Sequence, residues 1–504
     1  MSIINSFINW FNSSRRDEID FFCKNPIDIQ FDTFKKLISA GRETEWGKKY
    51  NYSNITTFEQ YKKNVPIQDY NSIKPYIERL INGENNLLWN EPIKWYAKSS
   101  GTTSDKSKYI PVSQSSLENC HFKGGKDVLA LYTFLYPKTK LFRGKGLTLG
   151  GSHSLNTLNS NSYVGDLSAI LIDNIPFWAD IIREPKTSIA LLSEWEEKLE
   201  KITKSTINKN ITNISGVPSW YLVLIKHILE YTGKSNLLEI WPNLELFIHG
   251  GINFTPYREQ YNQLIPSEQM NYMETYNASE GFFGLQNDPT SDSMLLMLDY
   301  GVYYEFIPMD QFDKENPDTL NIDEVEVGKN YAMLISTNAG LWRYQIGDTI
   351  MFTSKFPHKF KITGRTKHFI NAFGEEVIID NAENALKRAC KKTEAVVKEY
   401  TAGPRYITSE CQGCHEWIIE FEKYPNNLSE FKEVLDTTLM EINSDYEAKR
   451  YKDITLTEPV INIANDNLFY NWLKCKGKLG GQNKIPRLSN NREYLDSLLE
   501  LNVN

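Results

Sequence analysis

From residue 91 to residue 375 short β-like runs alternate with helical stretches, and this alternation constrains the chain more than any other feature. GKGLTLGG, LELFIHGG, SMLLMLDYGVYYEFIP and YAMLIST are the β-like runs. SWYLVLIKHILEYTG and TPYREQYNQLI are helical. The expected fold class is α/β, with sheets covered by helices. Ahead of it, residues 1–90 read as mainly helical, as in TTFEQYKKNV and IKPYIERLI. Behind it the pattern changes at TGRTKHFINAFGEE, a turn-rich, charged stretch over 363–376. NAENALKRACKK (helix), AVVKEYTA and HEWIIEFE (strands), LSEFKEVLDTTLMEI (helix), ITLTEPVINI (strand) and LFYNWLKCKG (helix) follow. The expected organisation is a large N-terminal domain over 1–370, a hinge at 363–376 and a small α+β lid over 377–504, about the size of one domain.

At 504 residues the chain exceeds one ordinary core, so more than one domain is expected. A net charge of −8 argues against a general nucleic-acid binder, although Lys98, Lys106 and Lys108 form a local basic site. The six cysteines are sparse and irregular, unlike a disulfide framework. Cys411-Gln-Gly-Cys414-His415 has the spacing of half a zinc site, but no matching second pair follows; the plainer reading is a turn between strands. No apolar run approaches the ~18 residues of a membrane span. The N-terminal stripe at positions 3, 4, 7, 8 and 11 precedes Arg15 and Arg16, the reverse of a signal peptide, so it is expected to pack on the protein itself. A cytoplasmic setting is expected.

Five stretches carry candidate chemistry. YAKSSGTTSDKSKYIPVS sets Ser99, Ser100, Thr102, Thr103 and Ser104 around Gly101 between two expected strand ends. Backbone N–H groups and hydroxyls in such a loop can hold phosphate, and the lysines add charge. A solvated hairpin is the plain alternative. In METYNASEGFFG, Glu280 lies between Ser279 and Gly281, a setting for Mg²⁺ at nucleotide phosphates, and Tyr276 could stack on a purine. A capped helix start would also account for that segment. In GLWRYQIGDTI, Asp348 follows Gly347 and could accept both hydroxyls of a ribose, or serve as a common turn pair. Arg365 in ITGRTKHFINAFGEE and Lys484 in GKLGGQNKIPRL complete the set, and each could be a basic surface turn. No Walker A loop, GxSxG elbow or HExxH helix occurs.

Taken in order, these stretches resemble the adenylate-forming enzymes, and more closely the Gretchen Hagen family of acyl acid amido synthetases. That family contains plant auxin- and jasmonate-conjugating enzymes and many bacterial members, and this chain reads as a bacterial one. KSSGTTSDKSKYIPVS, TYNASEGFFG and LWRYQIGD are similar to its three ATP motifs; IWPNLELFIHGG and GQNKIPR are similar to further segments. The resemblance implies an N-terminal domain of the firefly-luciferase-like adenylate-forming type with a mobile C-terminal lid. It implies that Ser99, Ser100, Gly101, Thr102 and Thr103 cradle the ATP phosphates, with Lys108 and Ser279 also at the nucleotide. Gly250, Gly251 and Tyr276 would border adenine, Glu280 would hold Mg²⁺ and Asp348 the ribose. Arg365 would touch the nucleotide, and Lys484 would meet charge developing at the α-phosphate.

The implied reaction uses ATP and Mg²⁺ to adenylate a small carboxylic acid, then passes the acyl group to an amine, an amino acid in the family. Two departures stand out: Asp105 takes the place of a second loop glycine, and Glu375–Glu376 lacks the lysine of related ligases, so neither glutamate is assigned a catalytic role. A ligase passing the acyl group to coenzyme A or a protein thiol would share the ATP motifs. A non-catalytic adenylate-binding sensor would need no Lys484. His121 and Phe122, in the helical stretch after the first loop, are candidates for the acid pocket.

Overall fold

The computed structural model describes residues 3–100, 107–150, 156–159, 162–252, 254–312, 314–366, 369–408, 411–453, 455–475 and 486–503. The first 90 residues are mainly helical, with helices Ile3–Lys24, Pro26–Gly41, Glu45–Lys49, Phe58–Asn64 and Tyr70–Ile81. Local chemistry starts several of them. The hydroxyls of Thr44 and Thr57 accept from the backbone N–H three residues on, and Asp69 and Ser72 form a reciprocal capping box. Their apolar faces, through Phe34, Ile73 and Ile77, join one core with Leu341, Trp342 and Tyr344.

Among the described residues the largest sheet has 11 strands. One half is antiparallel, in the spatial order Val302–Pro308, Asn330–Thr337, Tyr344–Lys355, His358–Arg365, Met294–Leu296, Gly281–Leu285 and Asn271–Ala278. From the last of these the pairing becomes parallel, through Leu246–Gly250, Ile211–Gly216, Lys145–Thr148 and Arg183–Glu184. The parallel half carries crossover helices such as Trp195–Thr206 and Pro218–Thr232, which parallel strands require. The antiparallel half is a succession of strands and turns. The alternation expected up to residue 375 therefore stops near 270, and the reason lies within SMLLMLDYGVYYEFIP. Gly301, at φ +69°, belongs to a turn that splits this run into Met294–Leu296 and Val302–Pro308. The two pieces lie far apart in the sheet, the second at its edge.

A second sheet runs Ser107–Val112, Trp95–Ser100, Ser162–Gly165, Asn156–Asn159. Its first two strands are an antiparallel pair, with Lys98 opposite Tyr109 and Ser99 opposite Lys108; residues 101–106 of the hydroxyl-rich stretch lie outside the described residues.

Beyond residue 378 the chain forms the strands Val396–Arg405, Cys414–Lys423 and Val460–Ile463 with helices Ile379–Thr393, Leu428–Ile442, Ser444–Arg450, Leu468–Cys475 and Glu493–Val503. Helices Ser444–Arg450 and Glu493–Val503 lack a counterpart in the sequence reading, and the strand expected over 454–463 is confined to its last four residues. This unit shares its core with the parallel half of the large sheet: Phe373, Leu386, Trp417 and Phe431 belong to one apolar cluster with Ile214, Tyr221, Tyr257 and Tyr261. The segment between the two is pinned from both sides. Tyr257 Oη donates to Ala372 O at 2.7 Å and Ser219 Oγ to Phe373 O at 3.2 Å. From the other side, fully buried Glu375 accepts from Phe373 N at 2.7 Å and meets His415 Nε2 at 2.8 Å. Glu375 is thus a structural residue, and Cys414–His415 opens a strand. No helix among the described residues is long and apolar enough to cross a membrane.

Arg343, in the run LWRYQIGD, ties the N-terminal helices to the antiparallel half. Its Nε and Nη2 donate to Glu305 at 3.0 and 2.9 Å, and Nη1 donates to the carbonyls of Lys62 and Val65 at 2.9 and 2.7 Å. Both charged side chains are buried, 5% and 1% exposed. Replacing Arg343 with Met takes the Glu305 carboxylate's charged partner, leaving it the Thr319 hydroxyl, and removes a donor from two carbonyls. The expected loss is about 3–5 kcal/mol of stability, read as a lower denaturant midpoint. Glu305→Gln in the same background should recover part of it, because the stranded charge is gone.

Candidate active site

A cavity of about 600 Å³ opens at the carboxyl ends of the parallel strands, where open α/β sheets bind ligands. Thr148, Ser215, Gly216 and Gly250 come from those ends, and Thr275 and Asn277 from the strand at which the pairing switches. Three chemically distinct walls enclose it. Leu129, Leu171, Ile172, Ile182 and Phe122 form an apolar bay. Lys98, Ser99 and Ser279 form a polar edge. Asn371, Gly374, Glu376, Asp445 and Lys449 close it from the connecting segment and the C-terminal unit. The volume lies within the usual range for small-molecule sites.

Of the residues singled out in the sequence, Ser99, Gly250, Gly251 and Ser279 line this cavity. Gly250 has to be glycine for a steric reason: a Cβ there would sit 2.3 Å from the Thr275 carbonyl oxygen on the adjoining strand. Gly251 has φ +83°, so a side chain would strain it as well. Together they present a strip of bare backbone to the cavity. Glu280 follows Ser279 in the tight turn between Asn271–Ala278 and Gly281–Leu285, so the segment is a hairpin and not a helix start.

Asp348 lies one layer behind. The Tyr276 hydroxyl donates to its Oδ2, and across the ladder Asp348 pairs in register with Arg365. The Tyr276 ring is 6% exposed, edge-on to Phe283 with centroids 5.0 Å apart. The ring is largely buried in this arrangement, and its hydroxyl orients a carboxylate. Ser99 and Lys108 are opposite one another in the first hairpin. Gly101, Thr102, Thr103 and Lys484 lie outside the described residues, and for Ser100 and Arg365 only the backbone is described.

His121 and Phe122, the two candidates for the acid pocket, both line the cavity. A widened π-helical turn over Leu117–Phe122 carries them, a feature common at functional sites. His121 Nδ1 meets Asn277 Oδ1 at 2.9 Å. Burial pulls this imidazole down to about 4, with the Asn277 contact acting the other way. Burial and then the Arg258 charge pull His249 to about 3. Both rings are neutral near pH 7. His249 lies tilted against Phe254, with centroids 4.2 Å apart, and its buried Nδ1 has no partner among the described residues.

These groups fit ATP and a magnesium ion. The Gly250–Gly251 strip suits a flat ring, and a hydrogen-bonded carboxylate such as Asp348 can accept from a diol. Mg²⁺ is usually held by one or two carboxylates together with substrate phosphates, which Glu280 in its turn can supply. Among the described residues no group of three His, Cys, Asp or Glu could cage a metal by itself.

Asn213, Ser215, Trp220, Asp166 and Lys449 were missed in the sequence. Ser215 and Asn213 sit in a strand that gave no motif, and Lys449 is within SDYEAKRYK, a polar run with the look of a solvated surface. Only the position of Asn213 and Ser215 two residues apart, on one face of a strand ending in Gly216, hinted at a site.

Comparison with known proteins places these features in context. Residues 15–270 match the GH3 family N-terminal domain, 295–365 the GH3 family central domain and 380–493 the GH3 family C-terminal domain. The 4-substituted benzoates-glutamate ligase GH3.12 of Arabidopsis thaliana is 24% identical, over 94% of this chain and 95% of its own. Among solved structures, the AtGH3.15 acyl acid amido synthetase in complex with 2,4-DB superposes with a TM-score of 0.60 at 20% identity, covering 94% of this chain and 93% of that one. A 2-hydroxyisobutyryl-CoA ligase with 2-HIB-AMP and CoA, in the thioesterification state, gives 0.58 at 10% identity over 95% and 92%. At these identities the structures establish the adenylate-forming fold.

These two histidines, together with His358, which burial pulls down to about 4, make stability depend on pH. Between about 3–4 and about 6.5 the unfolded chain binds more protons than the folded one, so stability rises with pH across that window and is lost as pH falls through it. His249→Gln should flatten the slope of unfolding free energy against pH by up to about 1.4 kcal/mol per unit. Denaturant titrations from pH 4 to pH 7 would read it.

Proposed function

The chain belongs to the GH3 family, and on that premise we propose that it is an ATP-dependent acyl acid amido synthetase. It joins a small carboxylic acid to an amine, an amino acid in the first instance, and releases AMP and pyrophosphate. The observation that carries this reading is the shape of the cavity: a polar edge bearing Ser99 and Ser279, an apolar bay large enough for an acyl group, and a third wall supplied by the C-terminal unit.

The first step is attack by a carboxylate oxygen on the α-phosphate. The bond from that phosphorus to the bridging oxygen breaks and pyrophosphate leaves. In the second step the amine nitrogen attacks the acyl carbonyl, AMP departs and the nitrogen gives up a proton. Both nucleophile and ATP are anionic at the outset, so catalysis depends on fixed positive charge and oriented donors. In this reading Ser99 to Thr103 and Lys108 hold the phosphates, Asp348 fixes the ribose, and Tyr276 holds Asp348 in place. Arg365, opposite Asp348, lies at the nucleotide on the approach to the hinge. Mg²⁺ at Glu280 would offset phosphate charge. Lys484 meets the α-phosphate when the C-terminal unit is so placed, and its later withdrawal opens room for the amine. The apolar bay excludes water that would hydrolyse the mixed anhydride. Dependence on ATP puts the work in the cytoplasm.

The test is pyrophosphate release with ATP and Mg²⁺ against a panel of carboxylic acids, with and without amino acids. Release should require an acid, and AMP turnover should rise when an amino acid is added. Lys484→Ala should lower the adenylation rate on the order of 10²–10³-fold. Asp348→Ala should raise the KM for ATP about tenfold or more, with a smaller change in kcat. Stimulation by coenzyme A in place of amino acids would overturn amide formation, and silence across the panel would overturn the enzyme.

A further inference from the structure

One buried lysine of the cavity wall is left unused by the adenylation chemistry. Lys449 is on the short helix Ser444–Arg450 and is 5% exposed. Its amine lies 3.9 Å from the centre of the Trp220 ring, and both residues line the cavity. It makes no hydrogen bond or ion pair with the described residues. Asp445, Asp166 and Glu375 act on it only through their fields. An ammonium buried against an aromatic ring keeps a fraction of its hydration energy, and cation–π attraction offsets only part of the loss.

The helix that carries it is fixed. Asn443 Oδ1 caps it by accepting from the N–H groups of Asp445 and Tyr446 at 3.0 and 2.8 Å. Tyr446 Oη and Arg450 Nε both donate to buried Asp436, at 2.7 and 2.9 Å. Locked in this way, the helix turns Asp445 and Lys449, four residues apart, to one face. That face meets the cavity beside Asp166 and Gly374 of the connecting segment. A cation and two carboxylates therefore converge where the C-terminal unit closes the site.

We propose that this corner is the seat of the acceptor amino acid, with Lys449 holding its α-carboxylate and Asp445 and Asp166 facing its α-amine. The assignment rests on the amide-forming reading above and adds the recognition of its second substrate. The carboxylate of the acyl acid is a poorer match for Lys449, because adenylation removes the charge from its acyl oxygens and would leave the buried cation without that partner halfway through the cycle. The α-carboxylate of the acceptor survives from binding to product. Because Lys449 and Asp445 come from the C-terminal unit, the seat exists only when that unit is docked as it is here.

The test uses the full chain and an acid active in the panel above. Two rates are measured: acid-dependent ATP–pyrophosphate exchange without amine, and amide formation with L-alanine or L-glutamate and with their α-carboxamides. In the unaltered protein the carboxamides should have a KM about 10- to 100-fold higher than the amino acids, the range for loss of a charged hydrogen bond. In Lys449→Met the KM for the amino acids should rise by the same factor, the discrimination against carboxamides should vanish, and the KM for the acid in exchange should move far less. Lys449→Arg should recover part of the loss. Equal shifts in both assays would instead place Lys449 at the acid or the nucleotide, and an unchanged amino-acid KM would make it structural. The carboxamide comparison needs no variant, so misfolding of Lys449→Met does not spare the proposal. If exchange is present but the amino acids and carboxamides are used alike, the assignment alone fails. If no acid supports exchange, the amide-forming reading fails and takes the assignment with it.

Discussion

The strand Asn271–Ala278 organises the molecule, because it must satisfy two different neighbours at once. On one edge it pairs antiparallel with Gly281–Leu285, and on the other parallel with Leu246–Gly250. The parallel edge brings the strand end at Gly250 against Thr275, so closely that no side chain fits between them. The antiparallel edge sends the chain back through the turn at Ser279 and Glu280. Bare backbone, a carboxylate in a tight turn, and Tyr276 reaching Asp348 are three results of one change of pairing.

How much of this could be read in the residues depends on the range of the interactions involved. The helical first 90 residues, the paired strands Trp95–Ser100 and Ser107–Val112 and the elements Ile379–Thr393, Cys414–Lys423 and Leu428–Ile442 rest on periodicity and turn chemistry, which are local signals. Gly250, Ser279 and Asp348 were legible because glycine and acidic residues in turns are conspicuous. The split of SMLLMLDYGVYYEFIP was not, because one apolar run is continuous across a turn whose only mark is Asp-Tyr-Gly. The buried state of the Tyr276 ring was hidden as well: it follows from Phe283 and Phe360, and the latter is 84 residues away and on another strand. Lys449 was the least legible of all, since nothing in a polar heptad of lysines, arginines and acids tells which side chain will face inward.

The buried charges fall into two kinds. Arg343 with Glu305 and Glu375 with His415 are paired with each other and hold seams between segments distant in the chain. Their carboxylates are shared with backbone or hydroxyl donors, which is what makes burial of the charge tolerable. Lys449, whose amine lies over the Trp220 ring and makes no ion pair among the described residues, is of the other kind. The difference separates groups whose work is done by folding from one whose partner comes from outside.

The apolar cluster common to the parallel half and the C-terminal unit bears on how such a chain can evolve. Phe373, Trp417 and Phe431 find their neighbours among Tyr221, Tyr257 and Tyr261, so neither face is dry without the other. A C-terminal unit of this construction is not a cassette. Recombination that replaced residues 380–493 with a distant relative's would bring in side chains cut to another seat and would leave the pair Tyr257–Ala372 facing a stranger. New acceptor preferences are therefore reached more readily by single exchanges on the helix Ser444–Arg450, which touches the cavity while its anchor at Asp436 stays put, than by trading whole domains.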